Sequence, residues 1–218
     1  MPSTKSFTFH TELRLVALTG VRALSVSDLR AALQTLPGSS VFYHTHQEYL
    51  AHNFEKPIYY NDFARWVHTA LREEALAEKL TALDLLAFTS IRELRVALVS
   101  TIDGYLPNMR RPGFECHQDD AFHFCKSKSF ILPTGVVATN IPDFFRKLPS
   151  VSTASLYFHF FEARLRLHRR TNDFSRWIKD RGRPDLAEAI DGLDPYIRTL
   201  DELRNAIVAL GHDLRVPA

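Results

Sequence analysis

One string occurs twice in this chain. Asn61 opens NDFARW and Asn172 opens NDFSRW, and the two copies account for both tryptophans of the protein. A repeat constrains a fold more than composition does, because whatever unit forms once must be able to form again. The match also has company. FTFH (Phe7–His10) falls on FHFC (Phe122–Cys125), and TGV at Thr19 falls on TGV at Thr134, each 115 residues on. Asp28 falls on Asp143, and FYH ending at His44 falls on YFH ending at His159, at the same offset. The offset then drifts to 111 at NDF, 110 at LAEKLTALD against LAEAIDGLD, and 109 at ELRVAL against ELRNAI. These blocks recur in order and the drift falls at plausible loops, which points to a tandem duplication. The expected organisation is a first repeat over 1–103, a linker over 104–119 and a second repeat over 120–218.

Each repeat has the same coarse plan. FTFHTELRLVAL and AFHFCKSKSFIL alternate apolar and polar residues for part of their length, as a half-buried strand does. TG follows as a turn signal. SVSDLRAALQTL and NIPDFFRKL then read as helices with a capping Ser or Asn ahead of them. The FYH helix comes next, and NDF opens another, with Asp62 and Asp173 able to accept from the free amides of the first turn. Phe63 and Trp66 share a face of that helix, as do Phe174 and Trp177. Further helices are expected near 73–86, 90–101, 184–192 and 201–210. The fold class is therefore α+β, mostly helical: two tandem related halves with pseudo-twofold symmetry, each with a short strand region followed by several helices.

Composition sets limits. In 218 residues, 45% are hydrophobic, including sixteen Phe, so a substantial core is available. The formal charge is only +2, which does not favour avid nucleic-acid binding. Leu165–Arg183 is locally basic, with eight basic residues, counting His168, against two Asp. Arg166, Arg169 and Arg170 within it, with Arg164 just ahead of it, are the weak nucleic-acid candidates. Cys116 and Cys125 do not make a disulfide scaffold. No apolar run approaches the ~20 residues of a membrane span, and no signal-peptide pattern opens the chain. A cytoplasmic protein that does not contact membrane is expected.

The histidines carry the sharpest chemistry. His44, Glu48 and His52 are spaced by four and four on the FYH helix, and His159 is followed by Glu162 and later His168. Two such helices face to face would gather a His and Glu set suited to zinc, iron or manganese. Against this, H-E-x-x-H is absent, and a retained His also serves packing by hydrogen bonding to a carboxylate. Arg65 and Arg176, inside the repeated hexapeptides, offer a planar fork for an anion or carboxylate. FECHQDDAFHFC has zinc-ligating residue types without the spacing of a known finger. No Walker A, G-x-G-x-x-G or G-x-S-x-G string occurs, so no cofactor is expected and no catalytic residue is assigned.

SSVFYHTHQEYL, NDFARWV and EEALAEKLTALD resemble DUF5752, an uncharacterised prokaryotic family, over nearly the whole chain. The resemblance supplies no catalytic residues. Some members look as if they occur beside or joined to glycosyltransferase-type enzymes, which implies an accessory or regulatory role. The second repeat departs from the string, reading STASLYFHFF with nothing to match His46, so a role for His46 would not be shared. The expected function is a non-catalytic protein-interaction or ligand-sensing module. Its ligand or interface residues are His44, Glu48, His52, His159, Glu162, Arg65 and Arg176, and its partner is another protein or a small anionic ligand. The alternatives are a metal-dependent enzyme built on the duplicated helix and a nucleic-acid binder acting through 165–183.

Overall fold

The structure, a computed structural model, describes residues 6–47, 58–168, 170–195 and 197–213. It is α+β and mostly helical. Strand β1 (Phe7–Ala23) pairs antiparallel with β2 (Phe122–Ala138) in a two-stranded sheet. Between them lie α1 (Val26–Thr35), α2 (Gly38–Phe42), α3 (Asp62–Thr69), α4 (Glu74–Thr81) and α5 (Ile91–Tyr105). After β2 come α6 (Ile141–Lys147), α7 (Thr153–Tyr157), α8 (Ala163–Leu167), α9 (Asp173–Lys179), α10 (Pro184–Asp191) and α11 (Leu200–Asp213). No helix among the described residues is long and apolar enough to cross a membrane.

The strands are longer than expected, at 17 residues each, because TG does not turn the chain. Gly20 (φ 80°) and Gly135 (φ 81°) take the left-handed conformation inside the strands, which glycine adopts without steric cost. The neighbouring Thr19 hydroxyl donates to the Phe124 carbonyl, and the Thr134 hydroxyl donates to that of Phe9, both at 2.8 Å. Alternation that includes fully buried residues is confined to the strand openings at Phe7–His10 and Phe122–Cys125.

The chain forms two compact units, each built from segments distant in sequence. The first unit holds residues 14–47 and 58–128, so it takes α1–α5 together with the opening of β2. The second holds residues 6–13 and 129–213, so α6–α11 pack with the opening of β1. In the first unit, Phe122 and Phe124 join a core of Leu29, Leu33, Phe63, Trp66, Leu76, Leu94 and Leu98. In the second, Phe7 lies 5.6 Å from Phe144 and 5.5 Å from Phe174, and Phe9 stacks on Phe144 at 5.5 Å, all as ring-centroid distances. Burying such rings contributes the largest apolar areas a core can collect.

Local chemistry explains the helix starts. Ser25 and Asp28 form a reciprocal capping box at α1. Asn140 caps α6 through Asp143 N–H. In the NDF strings the cap is Asn, not the expected Asp. Asn61 accepts from Ala64 N–H and Asn172 from Ser175 N–H, both at 2.9 Å. The amide groups of these side chains are used as well: Asn61 donates to the Leu80 carbonyl and Asn172 to Asp191. With the caps filled by Asn, Asp62 and Asp173 are available for other partners. The FYH helix is also not a plain α-helix, since α2 runs into a π-turn at Tyr43–Gln47, and α7 into one at Phe158–Glu162. Such turns insert a residue into the helical register and re-aim the side chains that they carry.

Candidate functional site

The re-aimed side chains are His44 and His159, each the second residue of its π-turn. His44 is buried in the first unit against Phe122, Phe63 and Phe124, with ring centroids 4.7, 5.5 and 5.9 Å away. Its Nε2 receives the backbone N–H of Cys125 at 2.8 Å. An amide N–H can only donate, so Nε2 carries the lone pair and the proton sits on Nδ1. Nδ1 lies 2.8 Å from Asp62 Oδ2 and donates to it. Ser40 Oγ donates to the carbonyl of the same Cys125 at 2.6 Å. The two side chains thus hold both backbone groups of one residue at the strand opening.

The second unit contains a matching arrangement. His159 Nε2 receives His10 N–H at 2.8 Å, Nδ1 donates to Asp173 Oδ2 at 2.8 Å, and Ser155 Oγ donates to the His10 carbonyl at 2.6 Å. The held residue is Cys125 in one unit and His10 in the other. The clamp grips only the backbone, so it tolerates that difference. Backbone polar groups taken from water must find partners, and the outer edge of a two-stranded sheet offers none of its own.

The clamps bear on the chemistry these histidines can perform. With both ring nitrogens engaged, a metal or a transferred proton at either histidine would displace the strand amide from Nε2 or the aspartate from Nδ1. Among the described residues no group of three or more His, Cys, Asp and Glu is placed to hold a metal ion. Glu48 and His52 lie outside the described residues. Glu162 is buried at the end of its π-turn. His46 is buried beside Phe42, and burial, with Arg14 nearby, pushes its pKa down to about 4. The Cys116 and Cys125 thiols are free, and burial raises both.

Arg65 completes the first-unit site. It bonds to Asp62 Oδ1 from one turn along α3 and keeps 47% of its side chain exposed. An open pocket of about 420 Å³ lies against it, lined also by Tyr43, His44, Asp62, Thr69 and His123. Arg65, Asp62, His44 and the Cys125 amide therefore form one continuous hydrogen-bonded chain from the pocket to strand β2. Arg176 is exposed on α9, where no hydrogen bond ties it to Asp173 among the described contacts. Of the weak nucleic-acid candidates, Arg164 lies half-buried with its guanidinium 5.8 Å from the Phe160 ring, while Arg170 is exposed. Arg169 and the side chain of Arg166 lie outside the described residues.

Sequence reasoning singled out His44, His159 and Arg65 but missed Ser40, Ser155 and the use made of Asp62 and Asp173. A signal existed, since Ser40 and Ser155 share the 115-residue offset of the histidines. Serines at that spacing resemble ordinary helix-start residues, and only the folded chain reveals which carbonyl they meet.

Three comparisons bear on identity. The family model for the family of unknown function DUF5752 matches residues 4–211. No curated protein matches the sequence. Among solved structures, OrfY from Thermoproteus tenax matches with a TM-score of 0.81 at 23% identity, over 96% of this chain and 95% of that one. At that identity the likeness establishes the fold alone.

Proposed function

The chain belongs to DUF5752, a family of unknown function, and we propose that it is a non-catalytic ligand-sensing module that serves a protein partner. The pocket beside α3 takes a small anionic group on Arg65, and occupancy is passed through Asp62 and His44 to the opening of β2. One observation carries this reading: the hydrogen-bonded chain from Arg65 to the Cys125 amide. An anion on Arg65 competes with Asp62 for the same guanidinium. Drawing Arg65 away strengthens the demand of Asp62 on His44 and alters the grip on the strand. Guanidinium suits the task because it presents several N–H groups in a planar fork.

The module is proposed to be a tandem duplication with pseudo-twofold symmetry, working in the cytoplasm. What supports the duplication is that aligned residues perform the same bonding. The His–Asp–Ser clamps match, and so do the Thr19 and Thr134 hydroxyl bonds. Arg95 donates to the Leu36 carbonyl at 2.6 Å and Arg204 to that of Val151 at 2.7 Å. Sensing is assigned to the first unit because Arg65 is tied to its clamp and Arg176 is not.

Amide NMR at low ionic strength tests the proposal, with inorganic phosphate and acetate as separate probes. Saturable shifts at the Cys125 amide and the Arg65 side chain are expected, with both lost in Arg65→Ala. Shifts that persist unchanged in Arg65→Ala, or no shift with either probe, would refute it.

A further inference from the structure

A second pocket lies away from the clamp, where α3 passes into α4. Its volume is about 260 Å³, and Arg72, Glu73, Glu74, Glu78, Tyr105 and Arg110 line it. At about 30 Å³ per water, it has room for a ligand of about eight or nine heavy atoms. The turn that builds it is strained. Arg72 has φ 58°, a left-handed conformation that a side-chain-bearing residue rarely takes. Glu73 then occupies the N-cap of α4 without making a capping bond. The residue is 3% exposed, and Tyr105 donates to Oε2 at 2.6 Å. Oε1 has no hydrogen-bond partner among the described residues. A buried carboxylate oxygen without a donor is costly, so it calls for an explanation.

The equivalent turn in the second unit shows what the backbone alone requires. Gly182 takes the left-handed position at φ 80°, and Arg183 at the N-cap of α10 has φ −117° and ψ 66°, close to the −99° and 73° of Glu73. There the side chain points to the surface and pairs with Asp185 at 2.7 Å. The same turn is thus made with a glycine and a surface ion pair. The strained arginine and buried glutamate of the first unit are not needed to form it.

We propose that this pocket binds a small zwitterion of the α-amino-acid class, its ammonium group donating to Glu73 Oε1 and its carboxylate meeting Arg72 and Arg110. The orphaned oxygen requires a donor, and Glu74 and Glu78 beside it favour a cationic one. The two arginines on the lining favour a negative group on the same molecule, and the volume suits an amino acid. The site is independent of the pocket beside Arg65, so either proposal can fail alone.

The test is amide NMR of the full chain titrated with proteinogenic L-amino acids one at a time, alongside methylammonium and acetate as half-ligands. At least one amino acid is expected to shift the Ala75, Tyr105 and Arg110 amides saturably, more tightly than either half-ligand. Glu73→Gln should weaken that affinity about tenfold or more, the loss of one charge-assisted bond. If Glu73→Gln does not fold, Arg110→Ala, an exposed change, should abolish the preference for the amino acid over methylammonium. No saturable shift with any amino acid overturns the proposal. Undiminished affinity in a folded Glu73→Gln, or a half-ligand binding as tightly as the amino acid, overturns it too.

Discussion

Replacing His44 by Phe isolates what the clamp contributes. Phenylalanine keeps a ring among Phe63, Phe122 and Phe124 but removes both nitrogens. Two groups then lose their partner: the Cys125 N–H and Asp62 Oδ2. An unsatisfied buried donor or acceptor costs about 1–3 kcal/mol, more for a charged group. Asp62 retains Arg65, and water from the adjoining pocket can reach the vacated positions, so the sum falls toward its lower end, about 3 kcal/mol. That is a large share of the ~5–15 kcal/mol by which domains are stable. Urea denaturation should show the midpoint falling with the slope unchanged, and hydrogen exchange should show the Cys125 amide losing its protection. A loss below about 1 kcal/mol, with Cys125 protection intact, would refute the reasoning, because the His–backbone bond would then carry little. Cys125→Ala should leave that protection in place, since the clamp reads only the backbone.

His159→Phe should reproduce this loss in the second unit, with the His10 amide as the exposed reporter in hydrogen exchange. His46 predicts a pH dependence. Its pKa is near 4 in the folded chain against about 6.5 unfolded, so the unfolded state binds the extra proton between those values. Stability is therefore lost as pH falls from about 6.5 to 4, by roughly 3 kcal/mol, and His46→Phe should flatten that part of a denaturation-versus-pH curve. Gly211→Ala sets helix propensity against packing, because a Cβ there would sit 2.5–2.9 Å from three ring atoms of Phe145. The clash at ~1–3 kcal/mol should outweigh the ~1 kcal/mol propensity gain, lowering the thermal midpoint. Arg72→Gly should raise stability by up to about 1 kcal/mol in urea titrations, by releasing the left-handed strain.

The parts of the fold that were legible in the sequence are the local ones. The helix starts at Ser25, Asn61, Asn140 and Asn172 follow from side chains that reach only three residues along the chain. The apolar spacing of Phe63 with Trp66, and of Phe174 with Trp177, is set by helix geometry. The candidate site was half legible. Recurrence at a fixed offset drew attention to His44, His159 and Arg65, but neither the π-turns nor the pocket at Glu73 leaves a periodic trace. Two expectations failed for definable reasons. TG turns the chain only if the strand ends there, and here a left-handed glycine is accommodated inside a continuing strand. Asp62 can accept from the free amides of the first turn, yet Asn61 stands one residue nearer and fills that place.

By itself, then, the sequence determined family membership, the α+β and mostly helical class, and where the principal helices begin. Only the tertiary structure decided which helices each strand opening would join. Phe7 and Phe9 pack with α6 and α9, and Phe122 and Phe124 with the core of α1–α5. Alternation along a strand specifies which face is buried but not against what. The choice rests on packing and on two backbone bonds to a His and a Ser far away in the chain. Those terms arise only when distant segments meet.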